Sequence, residues 1–300
     1  MSRKLSVIVP IYNDADCVAL FYERTAPILR SLGVDWEIVF VNDASTDDSL
    51  ERIQALRRTD TRVKVITFSR NFGYHAAHLA GIASVDSDLY AMIHPDLEDP
   101  PELLADFYKH IQAGAQTVYG IRSQREEPAW VIFCRGLFYR INQLIADGPI
   151  VLWMAEFSMM TRHVRDAVLN NRTTFPFLRA EMSYVGLRMV GVPYLRVKRP
   201  LGESHYSLWR MIQFAVGGFL SSSTFPLRLC LYLAFLMGGA YPLLWAGFHW
   251  TLAEASQAAS IFTFLFVLAT GPMLALYLAR TYKNVTARAV YHIDPASTDL

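Results

Sequence analysis

Hydrophobic and polar positions follow two different patterns along the chain. Over roughly the first 200 residues, short apolar segments alternate with stretches whose apolar residues recur at helical spacing. The predicted strands are LSVIVPI, WEIVFVN, RVKVITF, DLYAMIH and AQTVYGI, and the predicted helices include ADCVALFYERTAPILRSLG, DDSLERIQALRRT and GYHAAHLAGIASV. This alternation predicts parallel βαβ units, and therefore an α/β fold with a doubly wound, mostly parallel sheet.

The last third of the chain contains two long uncharged segments. Residues 229–248 and 261–279 carry no charged side chain, and each is close to the ~20 residues that a helix needs to cross a bilayer. We predict two transmembrane helices; the alternative is a pair of buried helices in a large core. The segment between them has no Lys or Arg, whereas Arg228 precedes the pair and Arg280, Lys283 and Arg288 follow it. The positive-inside rule therefore places both flanks in the cytoplasm.

These patterns divide the chain into four predicted parts. Residues 1–205 form a cytoplasmic α/β domain, and residues 206–226 form an amphipathic helix along the membrane surface, with a short third span as the alternative. Residues 227–281 hold the two spanning helices, and residues 282–300 form a cytoplasmic tail. The predicted location is the inner (cytoplasmic) membrane, with several passes and both termini in the cytoplasm.

Composition narrows the range of partners. The chain has 28 basic and 27 acidic residues, a net charge of +1, so no basic field suggests nucleic acid. Its three cysteines have no CxxC spacing, which argues against a zinc knuckle or a disulfide framework. The 53% hydrophobic content fits a membrane protein. The sequence has neither a GxGxxG nor a P-loop motif.

Polar clusters follow three of the predicted strands. NDASTDDS follows the second strand, SRNFGYH the third and HPDLEDPPE the fourth. In doubly wound sheets, ligands bind beyond the carboxyl ends of the strands. We therefore expect these clusters to form one site.

Several motifs, taken in their order along the chain, resemble those of one enzyme family. VIVPIYND, FVNDASTDDS, FSRNFGYHAAHLAG, HPDLEDPPELL, VYGIRSQR and RVKRPLGESHYSL, followed by the two apolar segments, are similar to the family 2 glycosyltransferases of the bactoprenol glucosyltransferase and dolichol-phosphate mannose synthase branch. The resemblance implies a GT-A fold and an inverting transfer of one sugar from a nucleoside-diphosphate sugar, by default UDP-glucose, to polyprenyl (undecaprenyl) phosphate. It also implies a homo-oligomer, as a tetramer.

The resemblance implies a divalent cation, Mn²⁺ or Mg²⁺, at the fourth strand. The family's Asp-x-Asp maps onto His94, Pro95 and Asp96, so the first aspartate is absent. On an extended segment His94, Asp96 and Glu98 would project on one side and share the metal, and a histidine ligand favours Mn²⁺ over Mg²⁺. The alternative is that Asp96 alone meets the metal. Asp99, which precedes two prolines, is predicted to cap the next helix.

Other site residues are carried over from the family pattern. The predicted donor-binding residues are Pro10, Tyr12, Asp14, Asp43, Arg70, Asn71 and Asp96. The alternative for the segment around Asp43 is a turn in which Ser45 or Thr46 caps a helix. The predicted acceptor-phosphate residues are Arg122, Arg125, Arg135, Arg196 and Arg199, because arginine matches the geometry of phosphate. The predicted catalytic residues are Asp96, Glu156 and Arg199.

Some positions depart from the family pattern. Tyr74 and His75 replace Lys-Gln, Glu156 replaces the Asp proposed as base, and Ser158 replaces an Arg. A lipid phosphate is mostly ionised at pH 7, since its second pKa is ~6, and needs little help from a base. The departures leave two alternatives open: a family 2 transferase that extends a lipid-linked glycan, and a degenerate, non-catalytic membrane partner.

Overall fold

A computed structural model describes residues 3–122, 136–137, 140, 144–145, 147, 151, 154–171, 177–197, 223–248, 251–286 and 288–300. Three predicted phosphate-binding residues, Arg125, Arg135 and Arg199, lie outside this part of the chain. So do residues 206–222, which make up most of the predicted amphipathic helix.

The described residues that precede the two apolar segments are built on one seven-stranded sheet. Its strands are β1 (Lys4–Ile11), β2 (Asp35–Asn42), β3 (Val63–Thr67), β4 (Leu89–Met92), β5 (Thr117–Arg122), β6 (Met154–Thr161) and β7 (Met189–Tyr194). Their order is β3-β2-β1-β4-β6-β5-β7. Only β6 runs antiparallel to its neighbours, β4 and β5. The predicted mostly parallel α/β sheet is confirmed.

Helices cover both faces of the sheet. They are α1 (Ala15–Ser31), α2 (Ser49–Thr59), α3 (Tyr74–Ser84), α4 (Leu103–Gln112), α5 (Arg162–Asn170) and α6 (Leu178–Val185). Phe21 of α1 and Phe107 of α4 belong to one apolar core, whereas Ala77 of α3, Val164 of α5 and Leu178 of α6 belong to the other. Each central strand is therefore buried on both sides, which explains its continuous run of apolar residues.

Two helices after the sheet are long and apolar enough to cross a membrane. They are α7 (Phe225–Phe248) and α8 (Leu252–Thr286). The Tyr241 hydroxyl donates to Ala255 O (2.7 Å), and the Tyr277 hydroxyl donates to Ser223 O. These contacts join the end of α7 to the start of α8 and the end of α8 to the residue before α7. The pair is therefore an antiparallel hairpin.

The second long helix starts earlier than the sequence predicts. The segment before residue 261 was expected to be a loop, but α8 begins at Leu252. Thr251 and Glu254 form a reciprocal cap: the Thr251 amide donates to Glu254 Oε2 (2.9 Å), and the Glu254 amide donates to Thr251 Oγ1 (3.4 Å). Such a capping box satisfies amides that a helix start leaves unpaired, and it fixes the start of α8 here.

Gly81 lets α3 pack closely on β1. A Cβ at this position would lie 2.2 Å from Cγ2 of Ile8. Gly81→Ala should destabilise the protein by ~1–2 kcal/mol, because so short a contact puts the overpacking cost at ~2–3 kcal/mol and helix propensity returns up to ~1 kcal/mol. Denaturant unfolding in detergent measures this, with Ser84→Ala on the same helix as the control. Equal stabilities of the two variants would contradict the close packing.

Candidate active site at the carboxyl ends of the strands

Asp43, at the end of β2, holds the loop that follows β3. Its two carboxylate oxygens accept hydrogen bonds from the amides of Phe72 (2.6 Å) and Gly73 (2.8 Å). Burial raises the pKa of Asp43, and these two amides act in the opposite direction without cancelling the rise. Arg70 and Asn71 lie in the same loop, and the Arg70 guanidinium lies 4.0 Å from the Phe72 ring centroid. Three predicted donor-binding residues are therefore physically linked.

Neither Ser45 nor Thr46, in the loop after β2, caps a helix. Helix α2 begins at Ser49, and the Thr46 amide donates instead to Asn13 Oδ1 (2.8 Å). The capping alternative is therefore wrong for both residues. Asn13 follows β1, so this bond joins the loops after β1 and β2.

The predicted donor-binding residues in and just after β1 have different surroundings. Pro10 is buried inside the strand, where it pairs with Val41. Tyr12 is exposed, and the Asp14 amide donates to Ser49 Oγ (3.2 Å). Their donor-binding roles stay predictions.

The HPDLED segment is a turn, not an extended strand end. Strand β4 ends at Met92, Leu97 adopts a left-handed φ of 56°, and the Glu98 amide donates to Asp96 Oδ1 (3.2 Å). The assumption that alternate side chains project on one side is therefore wrong. Glu98 forms an ion pair with Arg196. Within the described residues, no group of three His, Cys, Asp or Glu side chains is arranged to hold a metal ion.

Asp99 is a buried ion-pair partner and does not cap a helix. Helix α4 begins at Leu103, and the Asp99 carboxylate accepts hydrogen bonds from Arg122 Nη2 (3.2 Å) and the Tyr194 hydroxyl. The predicted cap is wrong because a buried carboxylate needs charged or hydrogen-bonding partners, and β5 and β7 supply them. Burial lowers the pKa of Arg122, but Asp99 and Tyr194 outweigh it and hold that pKa above its ordinary value.

The segment after β7 is attached to the HPDLED turn. The Val197 amide donates to Glu98 O (3.0 Å), and Arg196 pairs with the Glu98 side chain. The structure thus brings the beginning of RVKR, predicted to bind the acceptor phosphate, next to the segment predicted to bind metal. Arg122 is committed to Asp99, so its predicted phosphate contact gains no support from this arrangement.

A cluster of imidazole and phenol rings lies beside this turn. Ring centroids are 5.5 Å apart for Tyr74 and His94, and 5.5 Å apart for His78 and His94. Burial lowers the pKa of His75 to about 4 and that of His78 to about 3. Both imidazoles are therefore neutral at pH 7. Neutral imidazole offers one donor and one acceptor nitrogen, which suits hydroxyl groups.

Glu156 on β6 pairs with Arg179 on α6 beneath these rings. Arg179 Nε lies 2.7 Å from Glu156 Oε1, an ion pair whose angles fall outside those of a hydrogen bond. Arg179 Nη1 also donates to Met154 O (2.9 Å). Burial raises the pKa of Glu156, but the nearby positive charge, chiefly that of Arg179, more than offsets this rise, and the net pKa lies below its ordinary value. Glu156 is therefore an ionised carboxylate.

Sequence reasoning missed Arg179 and His78. A signal for His78 was present in the sequence. It lies four residues after Tyr74 and three after His75, so on a helix the three side chains share one face. Arg179 stands in no recognisable motif. The only signal for it was indirect. Ser158 stands where the family has an arginine, two residues from Glu156, and a buried carboxylate then requires a cation from another part of the chain.

The fold and this edge of the sheet define a glycosyltransferase of the GT-A type. The family model described as Glycosyl transferase family 2 matches residues 6–164, more than half of the chain, and the chain belongs to that family. The predicted family and enzyme class are confirmed.

Individual relatives show which members of this family the chain resembles. The chain is 31% identical over 238 residues to the bactoprenol glucosyl transferase of Shigella phage SfV, which covers 77% of this chain and 75% of the relative. It is 29% identical over 311 residues to the undecaprenyl-phosphate 4-deoxy-4-formamido-L-arabinose transferase of Klebsiella pneumoniae, which covers 97% and 93%.

Solved structures show the same fold. Glucosyl-3-phosphoglycerate synthase from Mycobacterium tuberculosis, in complex with phosphoglyceric acid, has a TM-score of 0.53 at 18% identity and covers 73% of this chain and 79% of its own. A complex of that enzyme with Mn²⁺, UDP-glucose and glycerol 3-phosphate has a TM-score of 0.50 at 17% identity, covering 71% and 76%. At these identities the likeness shows the fold.

The Glu156–Arg179 pair should show strong energetic coupling. Removing one partner of a buried pair leaves an uncompensated charge, so Arg179→Gln should cost ~2–3 kcal/mol, less than for a fully buried pair because Arg179 is partly exposed. The double variant Glu156→Gln/Arg179→Gln should recover ~1–3 kcal/mol relative to additivity.

Denaturant unfolding of the four proteins in the cycle measures this coupling. The exposed pair Arg24–Glu102 is the matched control, with an expected coupling below ~1 kcal/mol. Equal coupling in the two cycles would mean that Glu156 does not depend on Arg179.

Proposed function

We propose that the protein transfers one sugar, with inversion, from a nucleoside-diphosphate sugar to a polyprenyl phosphate at the membrane surface. The observation that carries this proposal is the position of the residues after α8. Helix α8 ends at Thr286, and His292 already contacts Ser69 in the loop after β3. Six residues span at most ~20 Å. The predicted donor edge of the sheet therefore lies within that distance of the end of an apolar helix.

The relatives support the acceptor class. The two curated relatives described above are named for transfer to bactoprenol and to undecaprenyl phosphate. Their sugars differ, so UDP-glucose is the first donor to test and not the only one. The predicted tetramer stays a prediction.

The residues around the turn partly fit a divalent cation. Asp96 is a nearly buried carboxylate and His94 an imidazole, both suited to Mn²⁺, whereas Glu98 is paired with Arg196. We therefore propose Asp96 and His94 as the residues that would hold the cation. The cation, when bound, would neutralise charge on the departing diphosphate.

The chain's own groups then act on the acceptor. A phosphate monoester with a second pKa of ~6 is already a competent nucleophile at pH 7, so Glu156 need not remove a proton from it. Glu156 stays ionised and holds Arg179, while Arg196, paired with Glu98, is the described arginine of the predicted acceptor set that lies next to the turn. The neutral imidazoles of His75 and His78 have buried nitrogens; both pack against Tyr74, and His78 also packs against His94, so they support these two rings.

Transfer itself is the direct test. The purified protein should move radiolabel from one member of a panel of sugar nucleotides, beginning with UDP-glucose, onto undecaprenyl phosphate, measured by solvent extraction and thin-layer chromatography. Asp96→Asn should lower the rate roughly 100-fold or more, since it removes the anionic ligand of the cation. Glu98→Gln is the matched control and should retain most of the rate. Full activity of Asp96→Asn in EDTA would remove the cation from the proposal, and label only on preformed lipid-linked glycans would favour an extending transferase.

We also propose that the two apolar helices cross the inner membrane and return the chain to the cytoplasm. Residues 293–299 pair with β3 of the catalytic domain, and the helices form an antiparallel hairpin between the two. An even number of crossings is the arrangement that allows this pairing. Reporters fused after Leu300 should be cytoplasmic, and a reporter inserted between residues 249 and 251 should be exterior. A Leu300 fusion outside the cytoplasm would exclude the hairpin topology.

A further inference from the structure

The tail after α8 runs along the free edge of β3 through two isolated β-bridges on either side of a short 3₁₀-helix, Pro295–Ser297. Asp299 pairs antiparallel with Val65, and Ile293 pairs with Phe68. Between them, the Asp294 amide donates to Thr67 O (2.7 Å). At its far end the tail is held by an ion pair between Asp299 and Arg57. The tail thus covers the free edge of β3, which would otherwise expose unpaired backbone groups.

The other end of the tail contacts the loop at residues 68–73. The Tyr291 ring stacks on Phe68 with centroids 5.3 Å apart and an interplanar angle of 14°. The Ser69 amide donates to His292 O (3.0 Å), and the His292 ring centroid lies 6.0 Å from that of Phe72. The two ends of the tail therefore make contacts of different kinds: an ion pair at one end, and aromatic packing against a loop at the other.

The contacted loop carries the predicted donor-binding groups. Arg70 stacks on the same Phe72 ring that His292 approaches, and the Phe72 and Gly73 amides bind Asp43. Gly73 has a φ of 91°, so the loop leaves β3 through a conformation that few residues adopt. A loop of this kind needs external contacts to keep one shape, and binding is tighter when that shape exists before the ligand arrives.

We propose that Tyr291 and His292 are positioning residues for the nucleotide end of the donor. They fix the loop at residues 68–73 so that Arg70 and Asp43 are already placed when the donor binds. This inference rests on the proposed function, because it takes a nucleotide as the ligand of that loop. It also means that the segment emerging from the apolar hairpin is part of the donor site.

The test compares Tyr291→Ala/His292→Ala with Arg57→Gln/Asp299→Asn in the full-length protein. The first double variant should weaken UDP binding, measured by isothermal titration calorimetry, about tenfold, because two side chains no longer pre-order the loop. It should raise the donor KM by a similar factor and leave the KM for undecaprenyl phosphate unchanged. The second double variant removes the side-chain ion pair at the far end of the tail, where the backbone bridge between Asp299 and Val65 remains, and it should bind UDP as wild type does. Tyr291→Phe keeps the stacked ring and should also match wild type.

Two results would overturn the inference. One is wild-type UDP affinity in Tyr291→Ala/His292→Ala; the other is an equal loss in Arg57→Gln/Asp299→Asn, which would make the tail a general support. GDP is titrated in parallel, so that a different base preference is detected. If wild type binds neither nucleotide, the proposed function itself is contradicted, a result distinct from equal binding by wild type and variant.

Discussion

The pairing of the tail with β3 is the constraint on which the rest of the molecule depends. Residues 293–299 reach the edge of the sheet only after the chain has passed through both apolar helices. The end of α8 is therefore held close to the carboxyl end of β3, where Asp43 and Arg70 lie. Under the proposed function the acceptor phosphate lies at the membrane surface, within reach of a donor site tethered at this distance.

The buried carboxylate of Glu156 has a cationic partner. The residues that depart from the family pattern, Tyr74, His75, His94 and Glu156, come from three separate elements and meet in one cluster. Glu156 is buried, yet Arg179 supplies the cation that a buried carboxylate requires. The buried charge of Glu156 is thus compensated, as an intact site requires.

The sequence predicted the sheet, its helices and the edge that carries the polar loops, because apolar periodicity and strand-end position are local properties. It failed where long-range partners decide. Asp99 looked like a helix cap, but Arg122 and Tyr194 reach it from β5 and β7. The ion pair of Glu98 with Arg196, which the segment after β7 supplies, was not predicted either, and the metal-ligand role of Glu98 stays a prediction. Arg179 and the pairing of the tail with β3 had no local signal at all.

The proposed topology and function require the carboxyl edge of the sheet to face the bilayer. Energy transfer from a dye at one end of β3 to labelled lipid headgroups measures it, using Ser69→Cys and Thr61→Cys in proteoliposomes after removal of the native cysteines Cys17, Cys134 and Cys230. Both positions are exposed, and they lie beyond opposite ends of the same strand. The account predicts higher transfer efficiency from Ser69→Cys. Equal efficiencies, or higher efficiency from Thr61→Cys, would contradict it.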